Sequence, residues 1–159
     1  MSKTHVDDSE TLYRRVPYGR NLYEVQPDGS IRFSSQAFSD PHFRPSVDRA
    51  KLYQHNPSHA QFKSSDGVTS VITRDVRFID SVVQKDQNGN AIQSFTVDVE
   101  HVPVVNHPTL PNNIAHAEIH TFPPCPNRGV FRKLSEKLAI LAGKRQWEIE
   151  PRDPGEQSE

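Results

Sequence analysis

Gly129-Val130-Phe131-Arg132-Lys133-Leu134-Ser135-Glu136-Lys137-Leu138-Ala139-Ile140-Leu141-Ala142 is the stretch that decides the fold. Val130, Leu134, Leu138 and Leu141 recur at spacings of 4, 4 and 3, which draws one apolar stripe along an α-helix. Arg128, Arg132, Lys133 and Lys137 fall mostly off that stripe, and Gly143 suits a C-cap. A helix with one apolar stripe needs one surface to cover it. The remainder of the chain reads as short strands, so that surface is a sheet. The expected fold class is α+β: a small, mainly antiparallel, curved sheet of roughly five to seven short strands, with the C-terminal helix over 129–142 packed on it and long Pro-rich loops.

Working outward, Gln146-Trp147-Glu148-Ile149-Glu150 alternates like a last edge strand that Pro151 stops. Upstream, residues 114–120 form a strand with Ala115, Ala117 and Ile119 on its inner face. In Phe95 to Val102, the residues Phe95, Val97, Val99 and His101 share one face, and Thr96, Asp98 and Glu100 share the other. Asn88-Gly89 predicts a hairpin turn, with 95–102 as its returning strand. Val68 to Thr73 is β-branched, and 76–83 either extends it or makes one helical turn. Leu12 to Val16, Leu22 to Val25 and the start of 31–38 are further short strands, with a turn at Pro27-Asp28-Gly29. Residues 39–66 are the least regular. Within them Ser46 would cap two helical turns over 46–53.

The 159 residues fit one domain, and a chain of that size hides roughly 70% of its unfolded surface. Only 33% of residues are hydrophobic and thirteen are prolines, so a lean core with much loop is expected. The expected organisation is a flexible N-terminal segment over 1–10, a single domain over 11–151 and a disordered acidic tail over 152–159. Net charge is −1, but the two ends hold eight acidic residues and two basic ones; the middle keeps 17 basic and 12 acidic groups. A basic middle fits an anionic ligand or an acidic protein surface, and nucleic acid is not ruled out. The single cysteine, Cys125, has no Cys-x-x-Cys partner. The opening residues hold no apolar run and no stretch reaches the roughly 20 apolar residues of a membrane span. A cytoplasmic protein with no membrane partner is the expectation, and composition gives no oligomeric state.

Four groups could carry chemistry. His116, Glu118 and His120 stand at i, i+2 and i+4 of a strand and point one way, and such side chains hold zinc or iron. One row cannot close a metal site, since same-face neighbours stand about 7 Å apart. His107, His101 or Asp98 would have to complete it, and without a metal His116 or Glu118 could work as acid or base. Arg32, Ser34 and Ser35 offer a guanidinium, hydroxyls and backbone N–H groups to an anion. Asp48 and Arg49 could line a pocket, and Arg14 and Arg15 point to opposite faces of their strand. Gly-x-Ser-x-Gly, phosphate-loop and dinucleotide fingerprints are absent.

The segments Leu12-Tyr13-Arg14-Arg15-Val16, Ser34-Ser35-Gln36-Ala37-Phe38, Ser46-Val47-Asp48 and Asn113-Ile114-Ala115-His116-Ala117-Glu118-Ile119 together resemble a family of small, largely uncharacterised bacterial proteins. That likeness runs over roughly residues 12–151 and implies no particular activity. The order Arg14 or Arg15, Ser34 or Ser35, then Glu118 also resembles ADP-ribosyltransferase-like toxins, which implies Arg14, Ser34 and Glu118 as catalytic residues; the Gly-rich nicotinamide cradle of those toxins is missing. The leading expectation is a non-catalytic binding or accessory domain that recognises an anionic ligand or a protein partner through Arg32, Ser34, Ser35, Asp48 and His116. The alternatives are a metal-assisted hydrolase on His116, Glu118 and His120 and an ADP-ribosyltransferase-like enzyme.

Overall fold

A computed structural model describes residues 4–156. In chain order the elements are β1 (Thr11–Val16), β2 (Tyr23–Val25), β3 (Ile31–Phe33), β4 (Ser46–Arg49), β5 (Gly67–Ile72) and the short α1 (Thr73–Arg77). They continue with β6 (Val83–Lys85), β7 (Ala91–Ser94), β8 (Thr96–His101), β9 (His116–Phe122), the long α2 (Arg128–Arg145) and β10 (Trp147–Ile149). Six strands form one open sheet in the order β10-β5-β1-β4-β9-β8, all paired antiparallel, and β2-β3 and β6-β7 are separate hairpins. The expected α+β class, with an antiparallel sheet and a C-terminal helix on it, is what forms.

The sheet has two unlike faces. Leu12 and Val16 of β1, Val47 of β4, Val71 of β5, Val97 and Val99 of β8, and Ala117 and Ile119 of β9 point toward α2. There they meet Val130, Phe131, Leu134, Leu138, Ala139 and Ala142 in one core. At roughly 1.5–3 kcal/mol per fully buried large aliphatic side chain, this layer is the main source of stability. Arg49 also enters this face and is 2% exposed, and Glu10 neutralises it through Nε (2.8 Å) and Nη2 (2.8 Å). The opposite face carries Tyr13, Arg15, Ser46, Asp48, His116, Glu118 and His120, by the registers Tyr13↔Asp48, Asp48↔His116 and Ser46↔Glu118.

Several local expectations are corrected. Ser46 does not cap a helix; 46–49 is a strand between β1 and β9, and only 50–53 turns, as 3₁₀. Val47 and Arg49 have buried places on the core face, and tertiary burial overrides the local cap signal. The Asn88-Gly89 turn forms, with Gly89 at φ +84°, but its returning strand is β7; β8 joins β9 instead. The helix does not stop at Gly143. It runs to Arg145, and Gln146 (φ 68°) ends it. The Gln146 side chain accepts from the N–H of Ile31 (2.7 Å) and donates to its carbonyl (3.0 Å), which ties the helix end to β3.

The N-terminal residues make contacts to the core where they are described. Val6 is 2% exposed in the core and Glu10 holds Arg49. At the other end the Arg152 N–H donates to the Ser65 carbonyl (3.0 Å), so the start of the expected tail is tied down; 157–159 lie outside the described residues. Gly67 is required by close approach, since a Cβ there would stand 2.8 Å from both Pro151 and the Trp147 ring. No helix is long and apolar enough to cross a membrane among the described residues.

Candidate functional site

The polar face opens into a cavity of about 930 Å³. Its floor is β1, β4 and β9, and its walls are the chain after β1 and the segments around 36–40, 60–62 and 102–113. That volume lies in the range of small-molecule sites, roughly 300–1,000 Å³. Val102, Val104, Val105, Leu110 and Pro111 supply an apolar side, and Arg14, Arg15 and Arg20 supply cations.

Arg14 is held in an unusual way. β1 and β4 pair only at Leu12↔Arg49 and Tyr13↔Asp48, and the guanidinium sits where the two strands part. Its Nε donates to the Ala37 carbonyl (2.9 Å), Nη1 to the Ser46 carbonyl (2.8 Å) and Nη2 to the Ser39 carbonyl (3.0 Å). The Phe38 ring stands 5.6 Å away. None of these partners carries a full negative charge, and among the described residues no carboxylate forms an ion pair with Arg14. Burial, and secondarily Arg15, pushes its pKa down to about 10, although Asp40 and Asp48 pull the other way. A guanidinium has five N–H groups, so two remain for a ligand. Arg15, on the cavity side, stacks 4.0 Å over Phe62 and lies 3.6 Å from Asp66.

The other side of the floor is a chain of fixed polar groups. His116 Nδ1 lies 2.7 Å from the Val102 carbonyl and Nε2 lies 3.0 Å from Ser46 Oγ. A carbonyl only accepts, so Nδ1 carries a proton; when the ring is neutral, Nε2 accepts from the Ser46 hydroxyl. Asp48, directly across from His116, accepts from Asn113 Nδ2 (2.8 Å), and Tyr53 donates to Asn113 Oδ1 (2.8 Å). Burial raises the Asp48 pKa, partly offset by Asn113 and His116. Burial and then the Asp48 charge push the Tyr53 hydroxyl up to about 12.

Arg14, Asp48, His116 and Glu118 therefore share the cavity, and Arg32, Ser34 and Ser35 do not line it. Arg32 projects from the β2-β3 hairpin into solvent, 4.0 Å from Glu24. Ser34 caps a 3₁₀ turn over 35–38, its Oγ accepting from the Gln36 N–H (3.0 Å), and Ser35 is the first residue of that turn. A short polar side chain at a strand end satisfies its own backbone first. In the Arg-Ser-Glu order, Arg14 and Glu118 line the cavity and Ser34 does not. His116, Glu118 and His120 share one face of β9, but among the described residues no three His, Cys, Asp or Glu side chains are grouped to hold a metal ion. Glu118 is taken by Arg44 Nε (2.6 Å), His101 lies on the core face, and Asp98 is bound by Arg77 (2.7 Å). The zinc or iron set drawn from this row has no convergent geometry. Sequence reading missed Ser46, Asn113 and Tyr53 as site residues; Ser46-Val47-Asp48 as a strand triplet, with i and i+2 on one face, was the available signal.

No family model matches the chain, and neither does a curated protein or a solved structure.

Proposed function

We propose that the chain is a binding domain whose cavity takes a small anionic molecule, with Arg14 at its centre and Arg15 and Arg20 at its rim. The observation that carries this is the Arg14 guanidinium: half-buried, held by three neutral carbonyls, and depressed in pKa chiefly by burial and then by Arg15. An arriving anion gains a charge-assisted, two-pronged contact there without breaking an existing ion pair. The apolar wall of Val104, Val105 and Leu110 suits a ligand that carries a carbon skeleton beside its charge. A concave site of this volume fits a small molecule better than the flat patch of a protein partner.

The test is thermal melting and calorimetric titration with inorganic phosphate, sulfate, citrate and aromatic carboxylates as probes. At least one probe should raise the melting temperature and saturate. Arg14→Met should weaken that probe at least about tenfold, and Arg14→Lys should recover part of the loss, because a hydrogen bond to a charged group is worth about 1.5–3 kcal/mol. Arg15→Gln and Arg20→Gln should each weaken it less. Equal binding of every anion by the Arg14→Met protein would overturn the reading.

A further inference from the structure

We infer that Ser46 is a nucleophile activated by His116, so that the cavity can cleave small carboxylic esters or thioesters. The inference goes beyond ligand binding and does not depend on it; only the choice of an anionic ester rests on the Arg14 reading. Three observations carry it. The Ser46 hydroxyl is solvent-exposed on the cavity floor, 3.0 Å from the His116 nitrogen that holds the free lone pair. The other ring nitrogen is fixed by the Val102 carbonyl at 2.7 Å, which sets tautomer and ring orientation, the task of the third member in a nucleophile–base–orienter arrangement. The Asp48 carboxylate faces His116 from the adjacent strand. The Arg49 N–H and the Pro45 carbonyl take the flanking ladder bonds to Ala115 and Ile119, so Asp48 and His116 form a non-hydrogen-bonded pair, the closer kind. Asp48 can thus stabilise the imidazolium that forms when His116 accepts a proton. It is a positioning residue.

The step balances without a cofactor. The Ser46 Oγ–H proton passes to His116 Nε2 as the Oγ–acyl bond forms. The ester C–O or C–S bond breaks, and the alkoxide or thiolate takes the proton from Nε2. Water then attacks the acyl-serine by the same route, releasing the acid and restoring Ser46. Arg14 donates to the backbone carbonyl of Ser46 and lines the same cavity, so a carboxylate or phosphate on the substrate would meet its cation there.

The experiment is labelling of the full chain with a fluorophosphonate, which forms Ser46 Oγ–P as P–F breaks and fluoride leaves, read by peptide mass spectrometry. The expected adduct lies on Ser46, and Ser46→Ala abolishes it. His116→Ala should slow labelling by about 10²-fold or more, the usual scale of a general base, and added imidazole should restore part of it. His116→Gln, checked by its melting curve, guards against a loss that is only misfolding. Asp48→Asn should slow labelling less and displace its pH profile, which a merely structural residue would not do. An unlabelled Ser46 in folded protein, or unchanged labelling of a folded His116→Gln protein, would overturn the nucleophile. A 4-nitrophenyl hemisuccinate should be cleaved faster than 4-nitrophenyl butyrate, and the preference should vanish in Arg14→Met. Labelling with no such preference would overturn the anionic substrate while leaving the nucleophile standing.

Discussion

Arg49 and Arg14 sit on neighbouring strands and are satisfied in opposite ways. Arg49 enters the core face, is 2% exposed, and is clasped by both oxygens of Glu10. Arg14 lies at the cavity and, among the described residues, is bound by three carbonyls and no carboxylate. A cation sealed into a core without a partner charge would cost several kcal/mol, so Arg49 has an acid brought to it from the N-terminal segment. A cation next to open solvent tolerates incomplete compensation and keeps an attraction for an anion. Two arginines of one sheet thus separate into one clasped by a carboxylate and one held by carbonyls alone among the described residues.

The same substitution at both positions is the strongest way to break that contrast. Arg49→Met leaves Glu10 as an unpaired buried carboxylate and should cost about 3–5 kcal/mol, measured by urea unfolding. Arg14→Met leaves three carbonyls that water can reach through the cavity, and should cost only about 1–2 kcal/mol. Equal losses would mean that Arg14 too is a structural clamp. The Arg49 clamp also predicts acid lability. Burial works to raise the Glu10 pKa, but the Arg49 hydrogen bond and the Asp7 N–H outweigh it and the net shift is below 4.5. A depressed carboxyl stabilises the fold above its unfolded pKa. That contribution should fade as pH falls from about 4.5 through the folded value, and the fade should be missing in a Glu10→Gln protein.

Asp48, on the cavity face, has the opposite sign. Its folded pKa is raised above 3.8, chiefly by burial. Its stabilising influence is therefore present below about 3.8 and is lost as pH rises through the folded value, so at neutral pH the charge costs stability. Asp48→Asn keeps an acceptor for Asn113 and should leave the protein equally stable or up to about 1 kcal/mol more stable at pH 7. Unfolding curves at pH 4 and 7 would show the gain only at the higher pH. A loss at pH 7 would mean that Asp48 is a needed support instead of a charge retained for the site.

The fold was legible because its signals are periodic. The 3.6-residue stripe of Val130, Leu134, Leu138 and Leu141 and the two-residue alternation in 95–101 and 114–120 each state which side is buried, and tertiary packing agrees except that Leu141 is only partly buried while Ala142 is fully buried. The site was half legible for the same reason. Alternation puts His116 and Glu118 on one face, but nothing local says which strand lies beside them. That neighbour is β4, whose Ser46 looks like a helix cap when only its own flanks are read. Arg32 with Ser34 and Ser35 misled in the converse way: the residue types suit an anion, but a separate two-stranded hairpin and a self-satisfied turn keep them apart from the cavity. Register between distant strands creates the juxtaposition of Ser46, Asp48 and His116, and register is fixed by the whole core.

Arg32 supplies the smallest and sharpest of these comparisons. It is a cation like Arg14, three-quarters exposed and 4.0 Å from an equally exposed Glu24. In water such a charge is fully solvated and its pairing is worth almost nothing. Arg32→Ala should change stability by less than about 0.5 kcal/mol and leave anion affinity and Ser46 labelling untouched. The net charge change is the same as in Arg14→Met, so a general electrostatic attraction toward the basic middle of the chain would weaken equally in both. Unequal loss, large for Arg14 and absent for Arg32, would assign the attraction to one half-buried guanidinium; a salt titration sharpens the distinction, because screening erases the diffuse field first.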